Sequence, residues 1–335
     1  MSGFLIRGNN MITVAKKFSL GIIVSGIILA LSSLPASAAE KQWPESRDPI
    51  KISLINYSVQ NVLSYIYGGI LEKLGYTVEY VTADYIGQFE GIANGDIHVG
   101  IDMWETTTRM QLAEYVGSGK VKNMGTQAGP IWETWWYPPY LVEYCPGLPD
   151  WKALLEPACI KALETAETAP KGRLITGPAE WNLGDADRIE ALGLQLEAIY
   201  AGSDASLMAA MASAIDRKEP FLGFAWHPHW FIAQHGMTWV KMPTYEPACH
   251  TDPSWGPNPD MVMDCEMPVG YTWKVAWAGG ETIWPKAYKV LRVFRIDHDT
   301  NGALAARTDL DKMSADKVAQ EWIDNNEDYW SKWLK

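Results

Sequence analysis

The chain has 335 residues, 47% of them hydrophobic and 20% charged, with a formal net charge of −12. That is globular composition, enough for one large domain or two ordinary ones. So acidic a surface repels phosphate backbones, which excludes nucleic acid as a partner but not a small cationic ligand.

In chain order, Arg7, Lys16 and Lys17 precede the apolar run "FSLGIIVSGIILALSSL", and Ala36, Ser37 and Ala38 form a small-residue cleavage signal. Residues 1–38 read as a signal peptide, starting at Met1 or Met11, that delivers the mature chain to the periplasm without membrane insertion. Its removal takes the net charge from −12 to −15, because residues 1–38 hold those three cations and no acid. "KISLINYS" (51–58) alternates like a strand, "NVLSYIYGGILEKLGY" (61–76) has helical spacing, and "TVEYV" (77–81) is rich in strand formers. "DYIGQFEGIANGD" (84–96) reads as a helix between a capping Asp and a Gly, and "IHVGIDMW" (97–104) as a third strand. The same order recurs further on. "RLITGPAEW" (173–181) is strand then loop, 186–194 a helix, 195–200 a strand, 203–219 a helix and "FLGFAW" (221–226) a strand. A further strand (270–277) and helices over 282–296 and 314–335 follow.

Two β-α-β-α-β halves predict an α/β protein of two domains with a ligand cleft between them. Domain I is expected to be discontinuous, 48–138 plus 270–335, and domain II to span 139–269. Two connecting segments would then form a hinge. In an exported chain Cys145, Cys159, Cys249 and Cys265 are expected to form two disulfides. Three pairings are open, and the local ones, Cys145–Cys159 and Cys249–Cys265, are favoured. A metal site at Cys249, His250 and Cys265 fits no zinc spacing, so neither metal nor cofactor is expected.

In open α/β sheets ligands bind beyond the carboxyl ends of the strands. Tyr57, Trp104, Trp181 and Trp226 all fall there, and the last belongs to the ring-rich "FAWHPHW". Trp135, Trp136, Trp151, Trp322, Trp330 and Trp333 read instead as packing residues. A quaternary ammonium has no N–H to donate, so its favourable partner is the face of an aromatic ring, at ~2 kcal/mol for each desolvated ring. Three or four rings supply roughly 6–8 kcal/mol, near the ~8 kcal/mol of micromolar affinity. Backbone N–H groups at Asn182 and Leu183, and at Ser58, would suit a ligand carboxylate. His229 could add a donor, and Asp102, two residues before Trp104, would share its strand face. The competing reading is a Trp-lined carbohydrate-binding protein or glycosidase using Asp102 and Glu105. Neighbours on one segment are a poor source of two carboxylates opposed across a bond.

The segments "LEKLGYTVEYV", "GDIHVGIDMWETT", "FAWHPHW" and "EWIDNNEDYWSKWL" resemble, in order, the periplasmic substrate-binding proteins of ABC importers for glycine betaine, proline betaine and choline. The resemblance runs over nearly all of the mature chain. It implies a type II periplasmic-binding-protein fold and a non-enzymatic, monomeric protein that hands an onium solute to a membrane permease. It also implies an aromatic box of Trp104, Trp226 and Trp181, with Tyr57 where some members carry Trp, and a further ring at Trp132 or Tyr140. Glycine betaine, proline betaine, choline, carnitine and the sulfonium dimethylsulfoniopropionate all fit such a box.

Overall fold

The computed structural model describes residues 43–335, so the signal peptide lies outside the described residues. The strands are β1 (Ile50–Leu54), β2 (Val78–Thr82), β3 (Val99–Trp104), β4 (Val121–Tyr137), β5 (Gly172–Thr176), β6 (Leu196–Tyr200), β7 (Leu222–His227), β8 (Thr238–Trp239) and β9 (Gly270–Trp277). They are ordered β2-β1-β3-β9-β4-β7-β5-β6, with β8 beside β4. β1 runs parallel to β2 and β3, and β5 parallel to β6 and β7. Each parallel trio is wound through helices, Ser58–Lys73 and Gln88–Asn94 in the first half and Asp185–Ala191 and Asp204–Asp216 in the second. The two expected α/β halves are therefore present.

The long strand β4 joins them. Its residues from Val121 to Ile131 pair antiparallel with β9, in a register broken by three shifts. Trp132 to Trp136 then pair antiparallel with β7. The chain thus passes from one half to the other inside a single strand. The helix Ala315–Asn325 packs on Ser58–Lys73 of the first half at Gly69. A Cβ there would lie 2.6 Å from Ile323 Cδ1, so a larger residue would push aside the end of that side chain.

Trp135 and Trp136 are buried packing residues. Their indoles donate to Asp185 Oδ1 at 2.7 Å and to the Ala225 carbonyl at 3.1 Å. Both local disulfides form, Cys145–Cys159 inside the second half's core and Cys249–Cys265 across a sequence separation of 16. Closing a loop of that length contributes about 3 kcal/mol by the chain-entropy argument. Replacing Cys249 and Cys265 by serine should lower unfolding stability by about that amount in urea denaturation. An unchanged midpoint would remove this disulfide from the account of stability.

Candidate functional site

The four strand-end rings come together. Tyr57 lies edge-on to Trp104, Trp181 and Trp226, with centroids 6.3, 6.0 and 5.8 Å away. Trp226 lies 6.1 Å from Trp104 and 5.7 Å from Trp181, again edge-on. Crossed planes of this kind leave ring faces free for a shared guest, as face-to-face stacks would not. All four are buried.

Local chemistry places each ring. Trp104 ends β3; its amide donates to the Tyr85 hydroxyl at 3.1 Å, and its carbonyl accepts from Thr108 at 2.8 Å. Trp181 sits in a short turn after β5, followed by left-handed Asn182 (φ 54°) and Gly184 (φ 69°). A Cβ on Gly177 would meet the Trp181 ring at 2.5 Å, so glycine is needed for the indole to lie back over the strand end. The Trp181 indole N–H donates to Asn56 Oδ1 at 3.0 Å, a bond from the second half to the first.

The rings line a pocket with Ile55, Tyr85, Leu183 and one ionisable group that sequence reading did not single out, Glu133. Glu133 stands directly opposite Trp226 in the β4–β7 ladder. Strand alternation puts both on the pocket face. Its carboxyl is buried and bonded to the Thr106 hydroxyl. Burial pushes its pKa up to about 8; the Thr106 bond opposes the rise and the nearby Asp185 charge adds to it. Near neutral pH Glu133 is therefore a neutral acid, with a proton to donate. Among the described residues lining this pocket there is no Lys, Arg or His.

The remaining sequence candidates distribute unevenly. Leu183 lines the pocket. Trp132 does not, because alternation turns it to the opposite face of β4, where it stacks on His227 at 4.0 Å. Ser58 is not a free donor for a ligand carboxylate. Its amide and hydroxyl both go to Asp204 Oδ2, at 2.9 and 2.5 Å, across the two halves. The Asn182 amide is likewise committed, to the Ala179 carbonyl at 3.1 Å. His229 caps the helix Trp230–His235, its Nδ1 accepting the Phe231 amide at 3.2 Å, and burial lowers its pKa to about 3. Asp102 does not share the face of Trp104 by simple alternation. The register with β9 shifts between Gly100 and Met103, and Asp102 takes φ 66°. Asp102 and His229 line a second cavity behind the rings. Glu105 accepts from the Tyr271 amide and the Trp273 indole, each at 3.2 Å, and is not opposed to Asp102 across the pocket. At Cys249, His250 and Cys265 the cysteines are joined to each other, so the trio has no thiolate for a metal.

Comparison with known proteins identifies the family and the fold. Residues 48–325 match the family model described as the substrate-binding domain of ABC-type glycine betaine transport systems. A trimethylamine N-oxide-binding protein of Pelagibacter ubique is 31% identical over 319 residues, covering 93% of this chain and 99% of the relative. Among solved structures, a glycine betaine/L-proline-binding protein of Borrelia burgdorferi superposes with TM-score 0.68 at 17% identity, over 86% of this chain and 97% of that one. An ABC-transporter choline-binding protein in complex with choline superposes with TM-score 0.68 at 19% identity, over 87% of this chain and 93% of that one. The fold is accordingly that of the two-domain periplasmic substrate-binding proteins.

Proposed function

This chain belongs to the family of substrate-binding domains of ABC-type glycine betaine transport systems, a transport family rather than an enzyme class, and from that premise we propose that its cargo is trimethylamine N-oxide. The observation that carries the reading is Glu133 in the wall of the aromatic pocket. The N-oxide is a methylated cationic nitrogen bearing an oxyanion. Its methylated end suits Tyr57, Trp104, Trp181 and Trp226. Its oxygen suits the proton that Glu133 retains. Glycine betaine carries a two-oxygen carboxylate instead, of which the one Glu133 proton satisfies a single oxygen in a pocket without a basic group, while the amides of Ser58 and Asn182 are committed within the protein. The N-oxide named for the Pelagibacter relative supports the same choice.

The mature chain would act as a monomer in the periplasm after loss of residues 1–38. One lobe would comprise 48–131 plus 270–335 and the other 132–269, the boundary falling inside β4 rather than at 138, because Trp132 to Trp136 pair with β7. The lobes close over the ligand through the Trp181–Asn56 and Ser58–Asp204 bonds, and the closed form is what the permease recognises. Among the described residues no helix is long and apolar enough to cross a membrane.

A second reading, choline, is favoured by the same Glu133 in its ionised state, which would accept the ligand hydroxyl and balance the ligand charge. The two readings differ in the sign of their pH dependence. Below about pH 8 Glu133 holds its proton and donates to an N-oxide. Above it the donor is lost and two negative charges face each other, so N-oxide affinity should fall about tenfold per pH unit. Choline affinity should instead rise up to about pH 8, as Glu133 ionises, and level off above it. Calorimetric titration from pH 6.5 to 9.5 with each ligand tests this; a flat N-oxide profile sinks the role given to Glu133.

A further inference from the structure

The second cavity lies behind the aromatic pocket. It shares Tyr57, Trp104 and Trp226 with it and adds Asp102, His298 and Asn301. Three hydrogen-bond acceptors line it. Asp102 is 2% exposed and accepts from the Trp104 indole at 3.3 Å. Burial raises its pKa to about 6, against hydrogen bonds from Thr272 and Trp104, so it is ionised at neutral pH. Asn301 is 9% exposed, and its Oδ1 is buried without a partner. His298 is kept neutral by burial and bonds through its ring to the Gly129 and Pro130 carbonyls. Its Nε2 is buried and unpartnered, so it presents a lone pair. Among the described residues lining this cavity none is Lys or Arg.

A buried carboxylate without a counter-charge, beside two orphan acceptors, is costly. A water molecule would satisfy hydrogen bonds but leave the charge uncompensated. A cation satisfies both needs, in a cavity that Tyr57, Trp104 and Trp226 also line. One carboxylate, one amide oxygen and one imidazole nitrogen supply too little negative charge for the oxygen-rich shell of calcium or the octahedral shell of magnesium. We propose that this cavity binds a small monovalent cation through the Asp102 carboxylate, Asn301 Oδ1 and His298 Nε2.

The test uses the mature protein without any onium solute, so its result stands apart from the identity of the cargo. Tryptophan fluorescence and thermal melting are followed at pH 8 in sodium, potassium, ammonium and N-methyl-D-glucamine chlorides at constant ionic strength. A saturable fluorescence change and a raised melting temperature are expected with at least one small cation and not with N-methyl-D-glucamine. Asp102→Asn should abolish the response, and Asn301→Leu should weaken it by about tenfold. An equal response to all four salts, no response to any, or an Asn301→Leu protein that responds like wild type would overturn the proposal. Should Asp102→Asn fail to fold, Asn301→Leu decides the matter, because it leaves the carboxylate and its hydrogen bonds in place.

Discussion

Alanine at Trp226 should weaken onium binding by at least ~100-fold, from the micromolar range to ~0.1 mM or weaker. This indole contacts Tyr57, Trp104 and Trp181 and stands opposite Glu133. Its own cation–π contribution is ~2 kcal/mol, or roughly thirtyfold. The loss goes further, because the neighbouring rings, edge-on to it, lose the partner that holds their tilt, and water enters beside the guest. A total loss of at least ~100-fold follows, typical of a central buried aromatic. Since Trp→Ala in a core also costs ~3–5 kcal/mol of stability, Trp226→Phe provides the folded control. It keeps a π face and should bind about tenfold more weakly than wild type. Calorimetry on both variants, with far-ultraviolet circular dichroism as the check on folding, gives the answer. Wild-type affinity in Trp226→Ala would place the ligand elsewhere.

Glutamine at Glu133 should separate the group's proton from its shape. The amide keeps a donor of similar reach but does not titrate between pH 6 and 10. Trimethylamine N-oxide should therefore bind at pH 7 within about threefold of wild type, and the fall above pH 8 should vanish. Leucine keeps most of the volume and removes the donor. A charge-assisted hydrogen bond is worth ~1.5–3 kcal/mol, so Glu133→Leu should lose about 10–100-fold at pH 7. The sign for wild type follows from the raised pKa: the neutral acid prevails below about 8, and binding-competent protein declines above it. Retention of the alkaline fall in Glu133→Gln would assign that titration to another group.

Much of the fold and part of the candidate pocket were legible in the sequence, for definite reasons. The two β-α-β-α-β halves announce themselves by hydrophobic period and by glycines at helix ends such as Gly75 and Gly95, both at positive φ. Rings at the carboxyl ends of β1, β3, β5 and β7 converge because parallel strands in each half point their ends at one cleft. The local disulfides follow from short loops that bring the partners together.

What escaped the sequence lies on β4. Gly125, Gly129 and Pro130 punctuate that segment like a loop, yet it runs as one strand from Val121 to Tyr137 with register shifts in its first part. Without knowing that the strand crosses between halves, nothing indicates that Glu133 rather than Trp132 faces the cleft. Alternation in "IWETWWY" read against β7 supplies that answer once the pairing is known. Asp102 was singled out, but its placement by simple alternation failed for a related reason, since an irregularity with a left-handed residue breaks the period-two rule. The helix His298–Asp309, which carries His298 and Asn301, is polar and interrupted by Gly302, so its periodicity is faint. The donors assigned to Ser58 and Asn182 failed on accounting: an amide at a helix start is available to a ligand only if the fold has not already engaged it.

The most direct test of the central claim is a tryptophan-fluorescence titration of the mature protein at pH 7. The panel is trimethylamine N-oxide, choline, glycine betaine, proline betaine, carnitine and dimethylsulfoniopropionate, with maltose as the control. The account predicts saturable binding that is tightest for trimethylamine N-oxide, at least tenfold weaker for glycine betaine and absent for maltose. Tightest binding of glycine betaine would contradict the place given to Glu133, and a response to maltose alone would turn the four rings into a sugar-stacking platform.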